Sequence, residues 1–131
     1  KQLGYSRLRG ENNQPRPNAG GLGAVKMAGG DATTEQMIAS TQRGILVTRL
    51  WYLREVDPRT ALYTGLTRDG TYLIENGKIT RAVKNFRFNE SPLFMLNKVE
   101  DLSRAEPTAA GPVMPAIRAH DFNFTSLSDA V

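Results

Sequence analysis

The 131-residue chain contains one histidine, His120, directly before Asp121 in the closing stretch GPVMPAIRAHDFNFTSLSDAV. A carboxylate beside a histidine can orient the imidazole for general-base work or support a metal ligand. Zinc needs three or four His, Cys or carboxylate donors, and the chain has no cysteine. If the segment is a strand, adjacent side chains point to opposite faces and the two groups do not meet. The expectation is a structural or solvent-exposed histidine, so no catalytic or metal-binding residue is assigned.

Lys78, Arg81, Lys84 and Arg87 recur every third residue, with Phe86 and Phe88 interleaved. Cations with stacking aromatics could form a nucleic-acid surface. A spacing of three, however, divides strand residues between two faces, whereas Phe86 and Phe88 share one face, as core residues do. A solvated sheet face, offset by Glu75, Glu90 or Asp101, is the preferred reading. Gly20-Gly21-Leu22-Gly23 resembles a phosphate loop only superficially, because no strand leads into it. Nucleophile-elbow, Walker and EF-hand spacings do not occur.

The elements that position these residues follow from composition and pattern. The net charge of +4 permits a polyanionic partner without requiring one. No apolar run approaches the roughly 18 residues of a membrane helix, and the first thirty residues lack the apolar core of a signal peptide. A cytoplasmic protein without membrane contact is the default. Seven of the twelve glycines fall in residues 1–30, with QPRP at 14–17, so 1–30 reads as a flexible Gly/Pro-rich loop or cut linker. Order is expected from Asp31, and 31–131 reads as a β-rich domain of a larger parent protein.

Thr33 and Gln36 have the spacing of a helix capping box, Met37 and Ile38 supply an apolar side, and Gly44 is the expected helix stop after Arg43. ILVTRLWYLREV is apolar on both faces and predicts a central strand with Trp51 buried. Asp57-Pro58 turns the chain. TALYTGLT and TYLIE read as two strands joined at Arg68-Asp69-Gly70, and Asn76-Gly77 is a strong hairpin signal. KITRAVKNFRF follows as one long or broken strand. Ser91-Pro92 starts a second helix expected to run to Asp101. A polar loop spans 103–112, and VMPAIRAHDFNFTS is a last strand interrupted at Pro115. The sum is an α+β fold, mainly an antiparallel β meander or partial barrel with two short helices. Gly44, Trp51, Asp57, Pro58, Asn76, Gly77, Phe86 and Phe88 are its structural markers.

Several of these residues also carry a resemblance. Gly30-Asp31, Arg43-Gly44, Val56-Asp57-Pro58-Arg59-Thr60, Thr64-Gly65-Leu66-Thr67-Arg68-Asp69-Gly70-Thr71, Lys84-Asn85-Phe86-Arg87-Phe88 and Asp121-Phe122-Asn123-Phe124 stand in the order and spacing of the C-terminal part of TldD/PmbA family proteins. That family is described as predicted zinc metallopeptidases and, under an older name, as modulators of DNA gyrase. The resemblance covers about 31–101 and 113–126 and fades over 1–30 and 103–112.

The resemblance implies a metal motif, HExxxH, upstream of this region, and the chain lacks it. It implies zinc in the parent protein and none in this chain, which alone should be inactive. It also implies a further cysteine ligand near the C-terminal end in TldD-type members, which is absent here. Two readings result. One is a scaffold and substrate-cleft domain of a metal-dependent peptidase, whose sheet edge could hold a peptide substrate by main-chain bonds. The other is a non-catalytic PmbA-type partner domain. A nucleic-acid-associated module ranks third. The expected partners are the remainder of the parent chain and a TldD/PmbA-type subunit in a homo- or heterodimer.

Overall fold

A computed structural model describes residues 26–108 and 111–128. Its element order is α1 (Thr34–Ala39), β1 (Arg43–Asp57), β2 (Leu62–Glu75), β3 (Lys78–Ala82), β4 (Asn85–Glu90), α2 (Pro92–Leu96), β5 (Val99–Leu102), β6 (Glu106–Pro107), β7 (Val113–Met114), β8 (Ile117–Ala119) and β9 (Phe124–Ser128). One five-stranded sheet runs β1-β2-β4-β9, with β3 beside β2; β5-β8 and β6-β7 form two small ribbons. All strand pairs are antiparallel. The α+β meander is as expected, but the sheets stay open and no barrel closes.

The residues expected in the 1–30 loop lie outside the described residues up to position 25. At the end of that stretch, Met27 N–H donates to Val113 O and Gly30 N–H to Ser103 O, both at 3.0 Å. The chain passes so near 102–105 that a Cβ on Gly29 or Gly30 would lie 2.3 Å from Ser103 O or 2.4 Å from Leu102 O. Only glycine fits such an approach.

Helix α1 has the predicted capping box: Gln36 N–H donates to Thr33 Oγ1 (3.2 Å) and Thr33 N–H to Gln36 Oε1 (2.8 Å). Those bonds satisfy two orphan amides of the first turn. The helix ends earlier than expected, with Ser40 at its C-cap. Arg43 and Gly44 begin β1 because they pair with Glu75 and Ile74. Gly44 is therefore a strand residue and not a helix stop.

The hairpin at Asn76-Gly77 is as expected. Both residues have positive φ, 51° and 76°, the combination a two-residue type I′ turn needs. Its tip docks on the end of α1: Asn76 N–H donates to Gln42 O (2.8 Å) and Gly77 N–H to Thr41 O (2.9 Å). The Asp57-Pro58 turn also forms. Asp57 Oδ1 accepts from Arg59 N–H and Oδ2 from the Thr60 hydroxyl, each at 3.0 Å.

Four expectations fail for tertiary reasons. Arg68-Asp69-Gly70 does not reverse the chain. Because β1 pairs with residues on both sides of it, the segment becomes a bulge inside one continuous strand, with Asp69 and Gly70 at positive φ. Thr48 fills the interrupted ladder by donating its hydroxyl to Gly70 O at 2.9 Å. Helix α2 stops at Leu96, since Val99–Leu102 pairs with β8. The closing segment is three short strands and not one interrupted strand. Finally, β1 lies at the sheet edge, not in its centre.

Among the described residues the buried apolar core is Met37, Leu66, Leu73, Ile74 and Phe88. Trp51, expected among them, is 41% exposed. Polar groups at the sheet centre are paired. Thr71 Oγ1 lies 2.8 Å from Thr67 Oγ1, the Thr67 hydroxyl lies 3.1 Å from Asn85 Oδ1, and Phe86 N–H donates to Thr67 Oγ1 at 3.0 Å. These bonds remove the penalty of burying two hydroxyls.

Candidate functional site

Between the large sheet and the β5-β8 ribbon lies a cleft of about 740 Å³, lined by Ile38, Val47, Met95, Phe122 and Phe124 among others. Arg118, His120 and Asp121 stand on its wall. Phe122 and Phe124 on its wall belong to a run of tilted rings that continues beyond the lining to Phe86 and Phe88: Phe86–Phe124 at 5.0 Å, Phe122–Phe124 at 5.0 Å and Phe88–Phe122 at 5.4 Å between centroids. Phe86 and Phe88 share a face, as their spacing predicts; Phe88 is buried and Phe86 half-buried.

His120 and Asp121 do meet, contrary to expectation. Nδ1 lies 3.0 Å from Asp121 Oδ2. The segment is not a strand here, and Asp121 takes a φ of 50°, which removes the alternation that would separate the side chains. The pair is open to solvent, at 52% and 84% side-chain exposure. Among the described residues no third group bonds the imidazole, and no cluster of three or more His, Cys, Asp or Glu could hold a metal ion. Two donors do not make a zinc site, so the described residues do not fit the metal that the resemblance implies for the parent.

Two ionic clamps escaped sequence reasoning. Glu90 is buried, and its carboxylate accepts from Ser91 N–H (3.0 Å), Lys98 Nζ (3.0 Å) and Asn123 N–H (3.2 Å). Lys98 Nζ also donates to Asp121 O at 2.8 Å. The clamp thus ties the α2 region to the loop carrying His120. Arg118 donates from Nη1 to Met37 O (3.1 Å) and Ser40 Oγ (2.7 Å), and from Nη2 to Asp101 Oδ2 (3.3 Å). Its buried Nε lies 3.5 Å from Glu100 Oε2 in a geometry too poor for a hydrogen bond. It staples β8 to the end of α1. No local spacing announces either clamp, because the β4–β9 pairing assembles the first and the docking of the β5-β8 ribbon on α1 the second.

The basic series is divided between elements. Lys78 and Arg81 are exposed on β3, and Arg87 is exposed on β4 with Nη1 3.5 Å from Thr64 Oγ1. Glu90 and Asp101, expected to offset the series, pair with Lys98 and Arg118.

Cations and aromatics instead converge on the distal half of β1. Arg49 and Arg68 lie 4.5 and 5.3 Å from the Trp51 ring centre, and Arg54 lies 4.5 Å from that of Tyr52. Asp69, projecting from the β2 bulge, takes Arg49 Nη1 at 2.6 Å and lies 3.5 Å from Arg68 Nε. The hydrogen bond from Arg49, followed by the charges of Arg49 and Arg68, holds the Asp69 carboxyl below its ordinary value.

The fold and its clamps define an α+β domain dominated by open antiparallel sheet. The chain belongs to the PmbA/TldA metallopeptidase C-terminal domain family, whose profile matches residues 6–126. The match reaches back into the glycine-rich stretch, where the resemblance by motif had faded. The crystal structure of TldE from Thermococcus kodakarensis has a similar fold, with a TM-score of 0.60 and 19% identity. The similarity covers 79% of this chain and 23% of that one, so the chain spans about a quarter of that protein's length. No curated protein matches.

Proposed function

We propose that the chain serves as the scaffold and substrate-cleft domain of a metal-dependent peptidase, with the metal motif elsewhere in the parent polypeptide. The observation that carries this reading is the family match over residues 6–126 to a metallopeptidase C-terminal domain. In this role the apolar cleft, with Phe122 and Phe124 in its lining, forms one wall for an extended peptide. The outer side of β9, which has β4 as its strand neighbour among the described residues, offers main-chain donors and acceptors, a mode of binding that tolerates many side chains. The Glu90–Lys98 and Arg118 clamps hold that wall rigid.

The test is peptide hydrolysis by the intact parent protein. Activity on an unstructured peptide, lost on chelation and restored by zinc, supports the reading. An intact protein that lacks HExxxH and is inert to metal sinks it. The absence of cysteine favours a second reading, the non-catalytic partner of a heteromeric pair. That reading expects the intact protein to be inactive alone and to co-purify with a metal-bearing subunit. In both readings the older DNA gyrase association ranks last, and salt-sensitive DNA binding lost in the Lys84→Ala/Arg87→Ala double variant would revive it.

A further inference from the structure

Asn76-Gly77 is the single Asn-Gly pair of the chain and forms the tip of the β2-β3 hairpin. Asparagine before glycine is the pair most open to deamidation, because glycine has no side chain to shield its nitrogen from the neighbouring carboxamide. Base removes the proton of the Gly77 nitrogen, which then attacks Asn76 Cγ. The Cγ–Nδ2 bond breaks, and the departing nitrogen takes up protons from water and leaves as ammonia. Water opens the resulting succinimide at either carbonyl. One product is aspartate; the other is isoaspartate, whose backbone runs through Cγ. Water is the one co-reactant.

Asn76 is exposed, and among the described residues no hydrogen bond holds its carboxamide. The attacking nitrogen, by contrast, is engaged: Gly77 N–H donates to Thr41 O at 2.9 Å. A proton shared with a carbonyl is harder for base to remove, and the left-handed φ of both residues holds a turn that must open before the ring can close. The tip is seated so closely on the end of α1 that a Cβ on Gly77 would lie 2.5 Å from Ala39 O. Arg118 fastens that seat from β8 through Met37 O and Ser40 Oγ.

We propose that Asn76 is a modification site gated by this joint: it deamidates when the hairpin tip lifts from α1, and isoaspartate then keeps the tip from seating again. Aspartate leaves the backbone unchanged and is tolerated in the left-handed region. Isoaspartate adds a methylene to the backbone of a two-residue turn, which upsets the Glu75–Lys78 pairing and has no room against Ala39 O. Met37, Ile38, Thr41 and Arg43, on and just after α1, line the cleft, so the change loosens one of its walls and is not reversed by refolding. The inference does not depend on the peptidase reading.

The test is the rate of Asn76 conversion in the intact protein at mildly alkaline pH, followed by peptide mapping with mass spectrometry and by enzymatic methylation of isoaspartate. The reference is a synthetic peptide of residues 71–82. Conversion in the folded protein should be slower than in the peptide by about tenfold or more, because it waits on local opening. Arg118→Ala should bring the folded rate at least about threefold closer to that of the peptide; urea unfolding verifies that the variant is folded, and Ser40→Ala replaces it if it is not. Asn76→Asp should keep the Gly77 amide protected from hydrogen exchange, whereas the purified isoaspartate form should lose that protection. The proposal is overturned if Asn76 converts as fast in the folded protein as in the peptide, or if the folded staple variant converts no faster than the unmodified protein. It is likewise overturned if the isoaspartate form retains the protection of Gly77.

Discussion

Trp51 and Leu66 are direct cross-strand partners, yet Trp51 is 41% exposed and Leu66 only 8%. Their strands have similar lengths and similarly strand-like compositions. The difference is in what flanks them. Strand β2 has β1 on one side and β3 and β4 on the other, and Phe88 of β4 packs beside it. Strand β1 has one neighbour among the described residues. Burial here follows the number of flanking strands and not the hydrophobicity of the residue, so the only tryptophan lies outside the core while two threonines lie inside it.

The sharpest way to break that contrast is at the buried side. Phe88 is 3% exposed and contacts Phe122, so Phe88→Ala should cost about 3–5 kcal/mol, measured by urea unfolding. Next comes the polar centre. Thr67→Val keeps the shape but leaves the Phe86 N–H without its acceptor and removes a donor to Asn85, for a loss of about 1–3 kcal/mol in the same measurement.

At the exposed side, Trp51→Ala should cost less than about 1 kcal/mol of folding stability, since its ring gives up mainly solvent-facing cation–π contacts. Far-UV circular dichroism is the readout, because the variant has no tryptophan to report. A loss as large as that of Phe88→Ala would erase the distinction between the two strands.

The smallest effect belongs to Asp69, a half-exposed carboxylate paired with Arg49. Its value is depressed in the folded state, so its contribution is present above its ordinary value of 3.8 and is lost as the pH falls through the lower folded value. Asp69→Asn should melt slightly below the unmodified protein at neutral pH, and the difference should close at pH values below 3.8. Added salt should shrink it as well.

The candidate site was less legible than the fold. The face shared by Phe86 and Phe88 could be read from a spacing of two. The Glu90–Lys98–Asn123 clamp could not, because Asn123 lies 33 residues from Glu90 and reaches it only through the pairing of β4 with β9. His120 and Asp121 were judged by strand alternation, a rule that fails once a single residue enters the left-handed region.

What the sequence determined by itself was local or collective. The Thr33/Gln36 capping box, the Asn76-Gly77 turn and the Asp57 turn depend on bonds within four residues, and they form wherever the rest of the chain goes. The ordered string of motifs from Gly30 to Phe124 indicated the family in the same way. Tertiary structure decided which strand became an edge, whether Arg68-Asp69-Gly70 turned or bulged, and where both helices stopped. Each of these outcomes depends on whether a distant strand offers backbone partners. Short segments such as Arg43-Gly44 and Val99–Leu102 carry too little intrinsic preference to resist that offer.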